Sequence, residues 1–458
     1  MSIVGSCVKI KAMIRTRFAP SPTGMPHLGH LRTCAYAYAL AKHSQGDFVL
    51  RVEDTDRKRY VPEAVEIIKN MVSNFGMKWD EYYVQSERAQ KGIYKKAAEK
   101  LVEQGYAFYC QCSARDAKHE GYSDVLRDPC RDKKFKEGAI KIRIPDNEKI
   151  TYHDFVFDKD ITWDSNTIFD ATLLKSKDLE ELPTYHLAAT LDDHEMEITH
   201  VLRGYDWMPS TPIHLLVYKY LGYKPPEIGH LTDIQSIEGG KLSKRKGSTS
   251  IQQLEKEGYL KEAIFNFTIL LGWAPKDNRE LFSLEDFVET FDPKGFQKAN
   301  PVFNRQKLDW FNGYYIRQKT DDQLVQLIEP FAPKNADVSL INQTIHLIKD
   351  RIAKLSDYPS FSGFFFQEPV VDKSLFIDQA ADQLSQALVV LKALDNWNKE
   401  EIEATLKELI NKNGWQTGDF FMNLRIAVTG SKFTPPITDS VAILGKEKTL
   451  ERLITCLK

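Results

Sequence analysis

The chain has 458 residues, of which 42% are hydrophobic and 28% charged, with a formal net charge of −2. That length allows about three domains and more than one buried core. Near-balanced charge excludes a uniformly basic nucleic-acid binder, and no apolar run approaches the ~20 residues that cross a bilayer.

Residues 1–12, MSIVGSCVKIKA, are too weakly apolar for a secretory signal and carry no arginine for a transit peptide, so they read as an N-terminal extension ahead of Met13. Six unevenly spread cysteines suit a reducing compartment, and a cytoplasmic location is expected, with no membrane partner.

From Thr16 the pattern predicts a strand (TRFA), a Pro-Gly loop, and a helix from about Leu28 to His43. FVLRVED, residues 48–54, predicts a strand ending in acids, and 62–75 and 88–104 have helical periodicity. A β-α-β-α opening builds a parallel sheet, with ligands at the C-terminal ends of its strands. Residues 105–182 change character, with β-rich pieces AIKIRIP, HDFVF and ITW, and read as an insertion. The α/β pattern resumes at YHLAATLDDHE, followed by the strand EITHVLRG, a helix over 210–221, a strand near 227–237, and the loop GGKLSKRKGS. After 252 nearly everything is helical: 323–331, 339–355, 376–394 and 399–412 repeat apolar residues at three and four.

The expected fold is α/β: a Rossmann-type domain split by an α/β insertion, then all-α C-terminal domains. The boundaries are 1–12 for the extension, 13–109 and 184–250 for the two halves of the Rossmann domain, 110–183 for the insertion, 251–322 for a first helical domain and 323–458 for a second.

Two motifs carry chemistry. SPTGMPHLGHLRT, residues 21–33, places His27, Gly29 and His30 at a helix start, where N–H groups and the helix dipole attract anions. KLSKRKGS, residues 241–248, offers Lys241 and Lys244 as point charges for a polyphosphate. Either alone also fits a solvated loop. Together, in this order, HLGH and KLSKR resemble the paired signatures of class I aminoacyl-tRNA synthetases. RTRFAPSPTG, FVLRVEDTD, PTYHLAATLDDHEMEITHVLRGYDW, STPIHLL, LDWFNGYYI and LGKEKTLERL extend the resemblance to the glutamyl-tRNA synthetases over nearly the whole chain from Ile14. The helical C-terminal half resembles their bacterial form.

The resemblance implies a ligase that attaches L-glutamate to tRNA(Glu) through a glutamyl-adenylate, using ATP and Mg2+ and releasing pyrophosphate and AMP. The attacking carboxylate is already ionised at neutral pH, so positioning and electrostatics rather than a general base should drive activation. By resemblance, His27, His30, Lys241 and Lys244 are catalytic, and Gly29 and Trp207 help bind ATP. Arg17 and Arg203 would grip the glutamate side chain, with Tyr185, Ala19 and Ser21 assisting and Glu53 pairing with the substrate ammonium. From the residues alone, Arg17 could instead pair with Asp54 or Asp56. Ala189 stands where the family often has Asn, so a side-chain contact there is either absent or rerouted.

Cys110, Cys112 and Cys130 resemble the zinc-bearing acceptor-end insertion of some members, with the fourth ligand open among His119, Tyr122 and Asp132. The C-terminal helices should hold the anticodon; HLIKDRIAKL, residues 346–355, places basic residues on a helix face, and the resemblance implies that Arg351 sits near where the family reads the third anticodon base. A monomer is expected. An enzyme that also charges tRNA(Gln) is the first alternative; a small-molecule nucleotidyltransferase and a non-enzymatic tRNA-binding factor are the others.

Overall fold

A computed structural model describes residues 13–112, 126–240, 242, 250–334 and 336–458. Among them no helix is long and apolar enough to cross a membrane.

β1 (Thr16–Phe18) and β2 (Phe48–Val52) are buried throughout, as strands covered on both faces must be. Between them α1 (Leu28–His43) buries Leu28, Leu31, Ala35 and Leu40. α2 (Pro62–Asn74), with proline at its start, leads to β3 (Glu81–Val84), which pairs in parallel with β2. β3 is half-buried at every position and so shows no alternation by which to read it from sequence. The single helical stretch expected over 88–104 is two helices, α3 (Gln85–Gln90) and α4 (Ile93–Glu103), because Gly92 takes a left-handed φ of 72° between them.

The inserted segment divides its strands between two sheets. β4 (Ala107–Cys110) and β5 (Ala139–Ile142), the latter from AIKIRIP, pair antiparallel. β6 (Lys149–Asp154) and β7 (Lys159–Asp164) form a hairpin, and β8 (Thr172–Leu174) returns to the other edge of β5. HDFVF therefore ends a strand and opens its turn rather than forming a strand of its own.

α5 (Tyr185–Glu195), β9 (His200–Gly204), α6 (Thr211–Leu221) and β10 (Glu227–Leu231) complete the α/β layer. The main sheet has the order β3-β2-β1-β9-β10-β6-β7, so the hairpin from the insertion extends its edge beside β10. β1 is the switch point: the chain runs from it to β2 on one side and later returns as β9 on the other. A crevice opens at the C-terminal ends of such strands. The strand expected near 227–237 is two pieces, β10 and β11 (Gln235–Ser236), and β11 pairs with β12 (Val302–Phe303).

Backbone packing divides the described residues into two units, one running to 253 and including 265–304, the other comprising 254–264 and 305–458. Residues 251–322 thus contribute to both. Helices dominate the second unit: Arg305–Gln318, Asp321–Ile328, Val338–Ile348, Tyr358–Phe366, Ala380–Ala393, Lys399–Asn413, Thr417–Thr429, Ile437–Leu444 and Lys446–Leu457. Its core gathers Leu384, Leu391, Leu406, Leu424, Val441 and Leu453. The helix expected over 339–355 stops at Ile348, so Arg351 lies in the turn beyond it rather than on a helix face. Further along that turn, Asp357 accepts the backbone N–H of Lys354 at 2.8 Å, and the buried Asn312 amide donates to the Ala353 carbonyl at 2.7 Å.

Candidate active site

At the ends of β1, β2 and β9 a cavity of about 260 Å³ is lined by Arg17, Ala19, Ser21, His30, Glu53, Tyr185, Arg203 and Trp207, among others. Residues scattered over the sequence thus share one wall. Ala189 is buried in α5 and does not line it.

His27 caps α1, its Nδ1 accepting the backbone N–H of Gly29 at 3.0 Å. His30 Nδ1 accepts the backbone N–H of His27 at 3.2 Å. Each Nδ1 is an acceptor, so in each neutral ring the proton sits on Nε2. The ring centroids are 3.9 Å apart. Gly29 permits this arrangement, since a Cβ there would come within 2.9 Å of His27 Cε1.

Lys241 and Lys244 lie outside the described residues. Within the motif, Leu242 donates to the Ile234 carbonyl at 2.9 Å; just after it, Ser250 forms a β-bridge with His27 and Ile251 donates to the Pro26 carbonyl at 3.3 Å.

Arg17 pairs with Asp193, Nε to Oδ1 at 3.1 Å, and donates to the Leu202 carbonyl. Neither Asp54 nor Asp56 holds it. Asp54 accepts from the Ser86 backbone and hydroxyl, and Asp56 pairs with Arg59. Sequence reasoning missed Arg51, which is fully buried in β2 and bonds both Asp193 at 2.7 Å and Glu53 at 3.1 Å. Burial alone would push Asp193 up, but Arg17 and Arg51 hold it below the usual carboxylate range. For Glu53 burial wins over the pull of the same arginines, and its carboxyl is raised.

Arg203 differs from Arg17 in having no carboxylate partner among the described residues. Its Nη1 donates to Tyr185 Oη at 3.1 Å and His214 Nδ1 at 3.0 Å, its Nη2 to Thr211 Oγ1 at 2.7 Å, and its Nε to His230 Nε2 at 3.0 Å. Burial and the arginine charge push His186 down to about 4 and His214 well below the ordinary value, so both stay neutral. A buried cation ringed by neutral groups and facing a cavity is a site prepared for an anion. Trp207, 42% exposed, packs on Tyr185 with ring centroids 4.2 Å apart.

A second cavity of about 740 Å³ runs from Glu53, Tyr185 and Trp207 past Lys175 to Cys110 and Cys112. There Cys110, Cys112, Cys130 and Asp128 bring one donor atom each to within 4.8 Å of one another. Cys112 and Cys130 sulfurs are 3.4 Å apart. Burial pushes the Cys110 thiol well up and that of Cys112 up to about 11. Asp132 is turned away, exposed and paired with Arg143 at 3.0 Å, while His119 and Tyr122 lie outside the described residues. Asp128 was not considered from sequence. Its carboxylate also pairs with Lys141 and accepts from the Cys130 backbone. Cys34 and Cys456 stand apart from this group.

In the helical unit, burial and the nearby Arg351 charge lower Arg425, whose buried Nε has no hydrogen-bond partner among the described residues. Sequence reasoning singled out Arg351 and missed Arg425.

The switch-point crevice and the histidine-capped helix start, with the KLSKR motif in the sequence, are those of a class I tRNA synthetase. Residues 13–310 match the family described as "tRNA synthetases class I (E and Q), catalytic domain", and residues 323–457 match an "Anticodon binding domain". Glutamate–tRNA ligases of Dehalococcoides mccartyi and Borreliella afzelii are each 38% identical to this chain, over 96% of it and 97% of theirs. A crystal structure of a glutamate tRNA ligase from Elizabethkingia meningosepticum in complex with its amino acid is 31% identical, with a TM-score of 0.84 over 97% of this chain and 99% of that one. The chain belongs to the glutamate–tRNA ligase family.

Proposed function

We propose that the chain attaches L-glutamate to tRNA(Glu), with ATP supplying the activation energy and Mg2+ accompanying its phosphates as counter-charge. The observation that carries this reading is Arg203, a buried guanidinium with no carboxylate partner among the described residues, in a cavity that also holds the buried carboxylate of Glu53. A glutamate side chain satisfies the first and its ammonium the second. Glutamine would leave the arginine facing a neutral amide, and a buried charge without its counter-charge is costly. The Nε2–H groups of His27 and His30 are donors suited to the α-phosphate as the substrate carboxylate attacks it, and Lys241 and Lys244 suit the β and γ phosphates. Gly29 lets the backbone approach ATP, and Trp207 lies on the nucleotide side.

Cys110, Cys112, Cys130 and Asp128 fit a structural zinc ion: three thiols and one carboxylate oxygen converge, as tetrahedral coordination demands. The acceptor end of the tRNA then lies along the larger cavity, with Lys175 and Arg57 facing its phosphates.

The test is aminoacylation with glutamate on purified tRNA(Glu) and tRNA(Gln), together with glutamate-dependent pyrophosphate exchange with and without tRNA. Charging of tRNA(Glu) supports the proposal, and equal charging of tRNA(Gln) makes the enzyme non-discriminating. Failure with every tRNA overturns it.

A further inference from the structure

Asp154 lies in β6, within the hairpin that the insertion adds to the main sheet, and it does not line the smaller cavity. It is fully buried, and so is His230 in β10. Asp154 Oδ2 is 2.7 Å from His230 Nδ1 and accepts the Tyr152 hydroxyl at 2.8 Å. Its Oδ1 accepts the backbone N–H groups of Val156 and Phe157, each at 3.0 Å. On the far side of the imidazole, Nε2 accepts the Nε–H of Arg203 at 3.0 Å. An arginine nitrogen only donates, so His230 Nε2 carries no proton; Nδ1 carries it and donates to Asp154.

We propose that Asp154 and His230 are positioning residues for glutamate selection: the carboxylate fixes the imidazole as its Nδ1–H tautomer, and the imidazole sets the plane of the Arg203 guanidinium, a role that rests on the proposed grip of Arg203 on the substrate. A planar fork recognises a carboxylate only when its plane is held. Of the five guanidinium hydrogens, Tyr185, His214, Thr211 and His230 take four. One N–H on Nη2 remains, with the Tyr185 O–H beside it, because that hydroxyl is accepting from the arginine. Both donors depend on where the guanidinium lies.

Asp154→Asn tests the tautomer directly. The two backbone N–H groups at Oδ1 need an oxygen, so the introduced amide must turn its NH2 toward His230. Nδ1 then becomes the acceptor, the proton moves to Nε2, and Nε2–H meets the Arg203 Nε–H donor to donor. Asp154→Asn, Tyr152→Phe and Arg203→Lys are to be compared for KM and kcat with glutamate, KM for ATP, and glutamate over glutamine selectivity. For Asp154→Asn we expect a glutamate KM raised by about tenfold, selectivity lowered by a similar factor, and a KM for ATP within about twofold of the parent. Tyr152→Phe keeps the carboxylate and should shift the same two quantities by about twofold. A fall in kcat or melting temperature alone, with glutamate KM and selectivity unchanged, overturns the proposal. If Asp154→Asn does not fold, an unchanged glutamate KM in Tyr152→Phe overturns it instead. Arg203→Lys separates the two levels: a shift there without one in Asp154→Asn removes only the positioning role, and no shift in Arg203→Lys removes the grip itself.

Discussion

His30 turns its Nδ1 to the backbone N–H of His27, 3.2 Å away, so the residue that closes the first turn of α1 also caps the residue that opens it. The reciprocal bond from Gly29 to His27 makes both rings Nε2–H donors. His30→Ala should lower the rate of pyrophosphate exchange by about tenfold or more while leaving the glutamate KM little changed, the signature of an interaction made in the transition state. Gly29→Ala should move in the same direction without removing either imidazole, because its Cβ displaces the His27 ring. Steady-state exchange kinetics check both, and a pure rise in KM would contradict them.

Glu53 gives a prediction with two opposite signs. Its carboxyl is raised by burial against the attraction of Arg51 and Arg17. A raised folded value means that the favourable contribution to stability is complete below the unfolded value and is lost as pH rises through the folded one. At neutral pH the ionised Glu53 therefore costs stability, and Glu53→Gln should melt no lower than the parent. The same substitution removes the charge facing the substrate ammonium, and the glutamate KM should rise by about tenfold or more. In the parent, the glutamate KM should rise on acidification at a pH above that of an ordinary glutamate. Melting curves and KM against pH decide it; a variant that loses stability and keeps its KM has a structural Glu53.

The parts of the site that sequence reveals are the local ones. The span of α1, its capping histidines and the acids at the end of β2 follow from residues within a few positions of each other. Arg51 to Asp193 spans 142 residues, and Asp154 to His230 spans 76. No periodicity announces such partners, and the arginine inside the strand FVLRV shows its role only once the fold supplies its carboxylates. The hairpin of β6 and β7 was legible as β-rich sequence, but its place at the edge of the main sheet depends on pairing with β10. The break at Gly92 and the stop at Ile348 were missed because apolar spacing continues through both.

Lys244 tests the second motif; Ser250, two residues beyond it, forms a β-bridge with His27. Lys244→Ala should leave tRNA binding nearly intact while activation falls by about tenfold or more. Equal losses of binding and activation would argue against a transition-state role.

The cysteine group should hold close to one equivalent of zinc in the purified chain, measured by elemental analysis. Thiols raised by burial need the cation to ionise them, so binding should release protons and weaken as pH falls. Cys130→Ser should lower zinc content with the main sheet intact. Asp128→Asn should do so less if the carboxylate is the fourth ligand, and the ion pair with Lys141 would then be lost as well. A folded parent with well under one equivalent removes the site.

Arg351 and Arg425 divide the anticodon prediction between them. Neither forms an ion pair among the described residues, and the charge of Arg351 lowers Arg425 further after burial has done so. Like charges held together destabilise a fold, so Arg425→Ala should not lower the melting temperature of the helical unit by this term. If Arg425 neutralises a phosphate, its removal should weaken tRNA(Glu) and tRNA(Gln) alike and reduce the slope of log affinity against log salt by about 1. Arg351, in the turn after Ile348, is the residue that the family resemblance points to for the third anticodon base. Arg351→Ala should erode the preference for tRNA(Glu) over tRNA(Gln) by about tenfold with the salt slope unchanged. Binding of both tRNAs at several salt concentrations separates the outcomes. A slope change for Arg351 with preference retained would make it the phosphate contact and leave base selection to other side chains of the helical unit.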